Sequence, residues 1–212
     1  MQGKIVKNHK RKIGIMGGTF NPIHVGHLII AEIAYEQYEL DKVLFMPASQ
    51  PPHKIGEPIE EDVYRVAMVK LAINDNPHFE LSLMEINRPG LSYTAMTMEQ
   101  LAHEYPDTEF YFIVGGDSIA AIETWREPEK VLRLGHMVAC VRDQVDNKRL
   151  DQQIDYLKKK YQTEVFKLEV PKMDISSTMI RERLQSNNGV KYLVPDNVIA
   201  YINKHGLYRD TI

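Results

Sequence analysis

Short apolar runs alternate along this chain with longer stretches whose apolar residues recur every three or four positions. The runs Ile13–Met16, Lys42–Met46, Phe79–Leu83, Glu109–Val114, His136–Val141 and Glu164–Leu168 predict strands. Continuous runs such as Val43-Leu44-Phe45-Met46 suit parallel strands covered on both faces. Helices are predicted over Gly26–Tyr38, Glu61–Asn74, Thr94–Tyr105, Glu127–Leu134, Asn147–Tyr161, Ser176–Leu184 and Pro195–Lys204. In the second of these, Val63, Val66, Ala67, Val69, Leu71 and Ile73 carry the helical spacing. Thr94 is a candidate N-cap, Pro128 falls in a first turn where proline is tolerated, and Gly206 suits a helix end. Strand–helix alternation gives an α/β class. Right-handed crossovers then imply a Rossmann-like doubly wound parallel sheet, with helices on both faces and a C-terminal helical segment. Ligands in such sheets bind beyond the carboxyl ends of the strands.

Composition narrows the setting. The 212 residues fit one domain, read as residues 12–212, after a flexible lead-in over residues 1–11 that is rich in Lys and Arg. A net charge of −3 exerts no bulk pull on nucleic acid or anionic membrane. No stretch approaches the length of a membrane span, and no apolar signal core follows the N-terminal basic residues, so the expected location is the cytoplasm. One cysteine, Cys140, sits in an apolar run and excludes an internal disulfide. A homo-oligomer is compatible with the sequence.

The candidate chemistry begins at Gly17-Gly18-Thr19-Phe20-Asn21-Pro22-Ile23-His24-Val25-Gly26-His27, between the first strand and the first helix. Glycines there let the backbone approach a ligand, and the helix start beyond offers free N–H groups to a phosphate. No Gly-Lys-Ser/Thr follows, so this is not a Walker A loop, nor is it a GxGxxG fingerprint. A zinc half-site at His24 and His27 lacks a suitably spaced cysteine or acidic partner.

These eleven residues resemble the HxGH signature of the nucleotidylyltransferases, in the longer form of the nicotinate-nucleotide adenylyltransferase branch. A second motif, Ile175-Ser176-Ser177-Thr178 with Arg181, reads by itself as helix capping, and is similar to the family's triphosphate-binding ISSTxIR motif. The resemblance implies catalytic roles for His24, His27 and Arg181. It implies ATP contacts from Gly17, Gly18, Thr19, Phe20, Gly26, Gly115, Asp117, Ile175, Ser176, Ser177 and Thr178 as well. Asp117 would bond a ribose hydroxyl. Pro51-Pro52-His53-Lys54 resembles the family's substrate loop, where His53 and Lys54 approach phosphate. Ser92-Tyr93-Thr94 resembles the segment that recognises the nicotinate ring, and Trp125 the tryptophan that stacks on it. Thr19, Arg126 and Arg142 complete the implied substrate contacts. Here Arg126 stands where relatives often have tyrosine or lysine, Gly116 where they often have alanine, and Asp143 where they have proline after the basic residue.

The reaction so implied joins ATP to nicotinate mononucleotide, with Mg²⁺ carried by ATP, no dedicated protein metal site, and no nucleic-acid or membrane partner. It needs no covalent nucleophile, consistent with a sequence without a Ser-His-Asp or Cys-His arrangement. Other readings on this fold are a pantetheine-phosphate adenylyltransferase, which lacks the Ser92–Thr94 and Trp125 features, and a nucleotide-binding regulator without activity, which pyrophosphate release would distinguish. A nucleic-acid-binding module would rest on the basic lead-in alone.

Overall fold

The computed structural model describes residues 10–52, 56, 58–141 and 147–209. Its six strands are β1 (Arg11–Gly18), β2 (Lys42–Pro47), β3 (Phe79–Leu81), β4 (Thr108–Gly115), β5 (His136–Val141) and β6 (Val165–Glu169). The helices are α1 (Val25–Gln37), α2 (Asp62–Ile73), α3 (Thr94–Glu104), α4 (Gly116–Ala120), α5 (Pro128–Leu134), α6 (Asn147–Tyr161), α7 (Ser177–Gln185) and α8 (Asp196–His205). The sheet is wholly parallel, in the order β3-β2-β1-β4-β5-β6. Strand order therefore reverses between β1 and β4, and a crevice opens beyond their carboxyl ends.

Alternate residues of each strand serve opposite faces, and both faces are apolar. Met16, Tyr111, Ile113, Val138 and Cys140 pack with α1, α2, α7 and α8, whereas Ile15, Phe110, Phe112, Met137 and Ala139 pack with α3, α4, α5 and α6. This two-sided burial is why the strands read as continuous apolar runs. At the edge, β3 keeps only three residues, although Ser82 N–H still donates to Phe45 O (2.9 Å).

Local details depart from the sequence reading. β1 begins at Arg11, so the last residue of the basic lead-in is strand; residues 1–9 lie outside the described residues. Thr94 is not an N-cap: Tyr93 holds that position in extended backbone, and Thr94 is the first helical residue. Gly115-Gly116-Asp117 forms a direct strand-to-helix junction, with Asp117 in the first turn of α4. The buried stripe of α2 is Arg65, Met68, Val69, Ala72 and Ile73, while Val63 is 63% exposed. Gly206 ends α8 in the left-handed region, φ 64°, as its position implied.

Candidate active site

The crevice between β1 and β4 is a cleft of about 660 Å³. Of the residues the sequence singled out, it brings together Gly17, Gly18, Thr19, His27, Ser92, Tyr93, Thr94, Gly115, Asp117, Trp125 and Arg126. Pro51 and Pro52 line it too, while His53, Lys54 and Arg142 lie outside the described residues. His24, Phe20, Gly26, Ile175, Ser176, Ser177, Thr178 and Arg181 are not in its wall.

These others flank the glycine-rich turn next to that wall. His24, the N-cap of α1, is buried, and its ring lies against that of His27 at a centroid distance of 3.8 Å. The His24 backbone N–H donates to His27 Nδ1 (3.2 Å). A neutral imidazole that accepts at Nδ1 carries its proton on Nε2, so this bond selects the tautomer in which His27 Nε2 is a donor. Phe20 meets the His27 ring edge-on at 5.1 Å and does so from a left-handed backbone, φ 49°, a costly conformation for a bulky residue.

Helix α7 is fastened to the same turn from behind. Ser176 caps it, accepting from Met179 N–H (3.2 Å), as a capping hydroxyl should. Ser177 Oγ donates to Pro22 O (2.8 Å), and Arg181 Nη1 donates to Asn21 O (2.8 Å). Arg181 thus reaches back across the start of α7 to the glycine-rich turn. Thr178 Oγ1 lies 3.4 Å from its Nη2.

Four residues that the sequence reading passed over complete the scaffold. Asn21, buried, uses Nδ2 to donate to Pro58 O (3.2 Å), and its Oδ1 accepts from Glu60 N–H (3.2 Å) and from the Tyr208 hydroxyl (3.0 Å). Burial pushes the Tyr208 phenol far above its ordinary pKa, so it remains a neutral donor. Tyr208→Phe removes one donor and leaves Asn21 Oδ1 still bonded to Glu60. The expected cost is about 1 kcal/mol of stability, read as the shift of the urea midpoint at unchanged slope. Glu85 stands in the cleft wall behind Ser92, its carboxyl pushed up by burial, with Thr97 Oγ1 donating to it (2.6 Å) and Arg88 at 3.8 Å. Arg65 is wholly buried beneath the turn. Asn21 lay inside the motif itself, and Arg65 was legible as a cation at the spacing of Met68, Val69, Ala72 and Ile73; the irregular segment around Glu85 carried no comparable signal.

Elsewhere in the cleft wall, Ser92 N–H donates to Gln50 O (3.0 Å) and Ser49 N–H donates to Ser92 Oγ (3.2 Å). This pair docks the Ser92–Thr94 segment on the loop after β2. The Arg126 guanidinium lies 4.6 Å from the centre of the Tyr93 ring, a cation–π contact. Trp125 is partly buried against the core on that face of the sheet and lines the cleft as well. The cleft wall therefore combines the Gly17–Thr19 turn and His27 with an aromatic and cationic group, Tyr93, Trp125 and Arg126.

A parallel sheet with a cleft at its switch point and two histidine rings packed at a 30° tilt at a helix start defines the class of nucleotide-handling α/β proteins. The chain belongs to the cytidylyltransferase-like family, whose model matches residues 15–183, and within it to the nicotinate-nucleotide adenylyltransferases. A relative from Lachnoclostridium phytofermentans is 49% identical over 93% of this chain and 99% of its own length. One from Moorella thermoacetica is 43% identical over 93% of this chain and 92% of its own. Both carry the name "Probable nicotinate-nucleotide adenylyltransferase". The fold is shared with Plasmodium falciparum nicotinic acid mononucleotide adenylyltransferase complexed with NaAD: TM-score 0.76, 20% identity, 93% of this chain and 97% of that one.

Proposed function

We infer that this enzyme transfers the adenylyl group of ATP to the 5′-phosphate of nicotinate mononucleotide, giving nicotinate adenine dinucleotide and pyrophosphate in NAD biosynthesis. The observation that carries the reading is that a donor-rich turn and an aromatic, cationic subsite face one cleft. A phosphate oxygen of the mononucleotide forms a bond to the α-phosphorus of ATP. The bond from that phosphorus to the bridging oxygen breaks, and pyrophosphate takes the electron pair. The nucleophile is already an anion, so the protein supplies position and charge neutralisation and abstracts no proton.

His27 Nε2–H donates to the phosphate chain as charge builds. His24 fixes the tautomer and plane of that ring, and the His24 imidazole backs it by stacking. Gly17, Gly18 and Thr19 leave the backbone open to the triphosphate, Gly26 makes room for the His24 ring at the start of α1 beside the same phosphates, and Phe20 braces His27. Ser176, Ser177 and Thr178 present the start of α7 to the departing pyrophosphate, Ile175 packs beside Gly26, and Arg181 turns one edge of its guanidinium to the same anion. Gly115 and Asp117 meet the ATP ribose at the junction of β4 and α4. Ser92, Tyr93 and Thr94 hold the pyridine ring, Trp125 stacks on it, and Arg126 faces its carboxylate. His53, Lys54 and Arg142 are assigned to substrate phosphate by their motifs alone.

Mg²⁺ enters as part of the substrate MgATP. On this reading its ligands are phosphate oxygens and water. Among the described residues no helix is long and apolar enough to cross a membrane; we place the enzyme in the cytoplasm because its substrates are nucleotides.

Pyrophosphate release from MgATP, with nicotinate and nicotinamide mononucleotides in parallel, tests the reading. Release with the acid at least tenfold above the amide is expected, because a site built for a carboxylate leaves polar groups unpaired around the amide. Equal rates would remove the nicotinate assignment, and no release with either would remove the reaction.

A further inference from the structure

Arg65 is the largest wholly buried side chain among the described residues, and its surroundings are not those of a core residue. Every nitrogen of its guanidinium donates to an oxygen. Nε reaches Glu60 O (2.9 Å), Nη1 reaches Thr19 O (2.5 Å), and Nη2 reaches Ser49 O (3.5 Å) and the carboxylate of Asp62. Asp62 in turn accepts from Ser49 Oγ (2.9 Å). Thr19 and Ser49 belong to different loops, the turn after β1 and the loop after β2, and both loops contribute residues to the cleft wall. One planar cation therefore ties together the segment facing the triphosphate and the segment on which Ser92 docks.

Stability alone does not account for a buried guanidinium. Burying an ion pair costs several kcal/mol of desolvation, and apolar residues of similar volume commonly do as well or better. The other four residues of the same helical stripe, Met68, Val69, Ala72 and Ile73, are apolar. The bond to Thr19 O has a specific consequence. It fixes the peptide plane that leads into Phe20, the residue in left-handed backbone that meets His27 edge-on. A trans peptide directs the next N–H opposite to the held carbonyl, so the plane of the turn is set as well as its position.

We propose that Arg65 is a positioning residue: by holding the Thr19 and Ser49 carbonyls it fixes the ATP turn relative to the mononucleotide loop, and through Phe20 it fixes the His27 ring. The assignment rests on the adenylyl-transfer reading and names the part of the fold that aligns its two substrates. Arg65 touches neither substrate. Its removal therefore impairs the alignment of two bound molecules more than the binding of either.

The test compares wild type with Arg65→Lys and Arg65→Met. An ammonium on a shorter stem keeps the charge but cannot span both carbonyls; methionine keeps volume and removes every donor. Thermal melts and far-UV circular dichroism give the folded fraction. Binding of ATP alone and of nicotinate mononucleotide alone is read from Trp125, the single tryptophan and a lining residue of the cleft. The expected result is a kcat per folded enzyme about 10²-fold below wild type in both variants, the scale of a misplacement near 1 Å. Each substrate alone binds within about threefold of wild type, a change under 1 kcal/mol. Wild-type kcat in either folded variant overturns the proposal. So does a loss confined to KM, or failure of both variants to fold, which would make Arg65 a stability residue. Absence of turnover in wild type itself would instead reject the adenylyl-transfer reading.

Discussion

His27→Asn lowers kcat for adenylyl transfer by about 10²–10³-fold while the melting temperature stays near wild type, because one preorganised donor to developing charge is lost. Asparagine is the informative replacement. Its side-chain oxygen falls near the position of Nδ1 and can still accept the His24 N–H, so the start of α1 remains capped. Nothing then stands where Nε2 was. Alanine would remove both functions and confound local stability with catalysis. KM for either substrate should change much less than kcat, since a donor that strengthens only as charge builds contributes to the transition state rather than the ground state. Steady-state kinetics against a thermal melt checks this. Unchanged kcat in a folded His27→Asn protein would exclude His27 as the donor.

Gly26→Ala is expected to cost activity and stability together. An added Cβ would sit 3.0 Å from His24 Nδ1, 3.1 Å from His24 Cε1 and 3.9 Å from Ile175 Cβ. The first two are tighter than nearly all contacts of a real Cβ, so the neighbour must give by a few tenths of an ångström. His24 cannot swing aside, because it is buried and its ring already lies against His27. Relief must come from moving the two rings or from parting α1 from the segment that leads into α7. Overpacking of this kind costs about 2 kcal/mol, which for a chain of this size lowers the melting temperature by about 6 °C. Displacement of His27 lowers kcat by a further factor of about 10². Gly189→Ala is the matched control: its backbone is ordinary and an added Cβ meets nothing within 4 Å, so activity and melting temperature should hold.

The two substitutions separate two properties of the same turn. His27→Asn removes a donor from an intact scaffold, whereas Gly26→Ala leaves the donor and deforms the scaffold. Arg65 acts on that scaffold from beneath and Asn21 from behind. Asn21 alone gathers the loop before α2, the C-terminal Tyr208 and, through its carbonyl, Arg181. The turn that carries the histidines is thus held by segments far apart in the chain, a means of keeping side chains within the tolerance that phosphoryl-type transfer requires.

The sequence by itself determined the class of fold, because two periodicities and their alternation are local. Apolar runs too short for helices, separated by amphipathic stretches, allow few architectures other than a covered parallel sheet. It also marks two candidate stretches for the chemistry, since Gly17–His27 and Ile175–Arg181 are contiguous and their residue types suit phosphate. What it could not contain were contacts between segments. Val63 satisfies a helical apolar spacing yet is exposed, and Arg65 breaks that spacing yet is wholly buried, because only the docked helix shows which stripe meets Thr19 and Ser49. Thr94 resembles an N-cap by residue type, but the backbone hands that position to Tyr93. The tautomer of His27 rests on a bond three residues back that no propensity records. Tertiary structure decided these points for one physical reason: burial, hydrogen-bond partnership and ring orientation belong to pairs of residues in space, and sequence patterns report only the preferences of each residue for its local backbone.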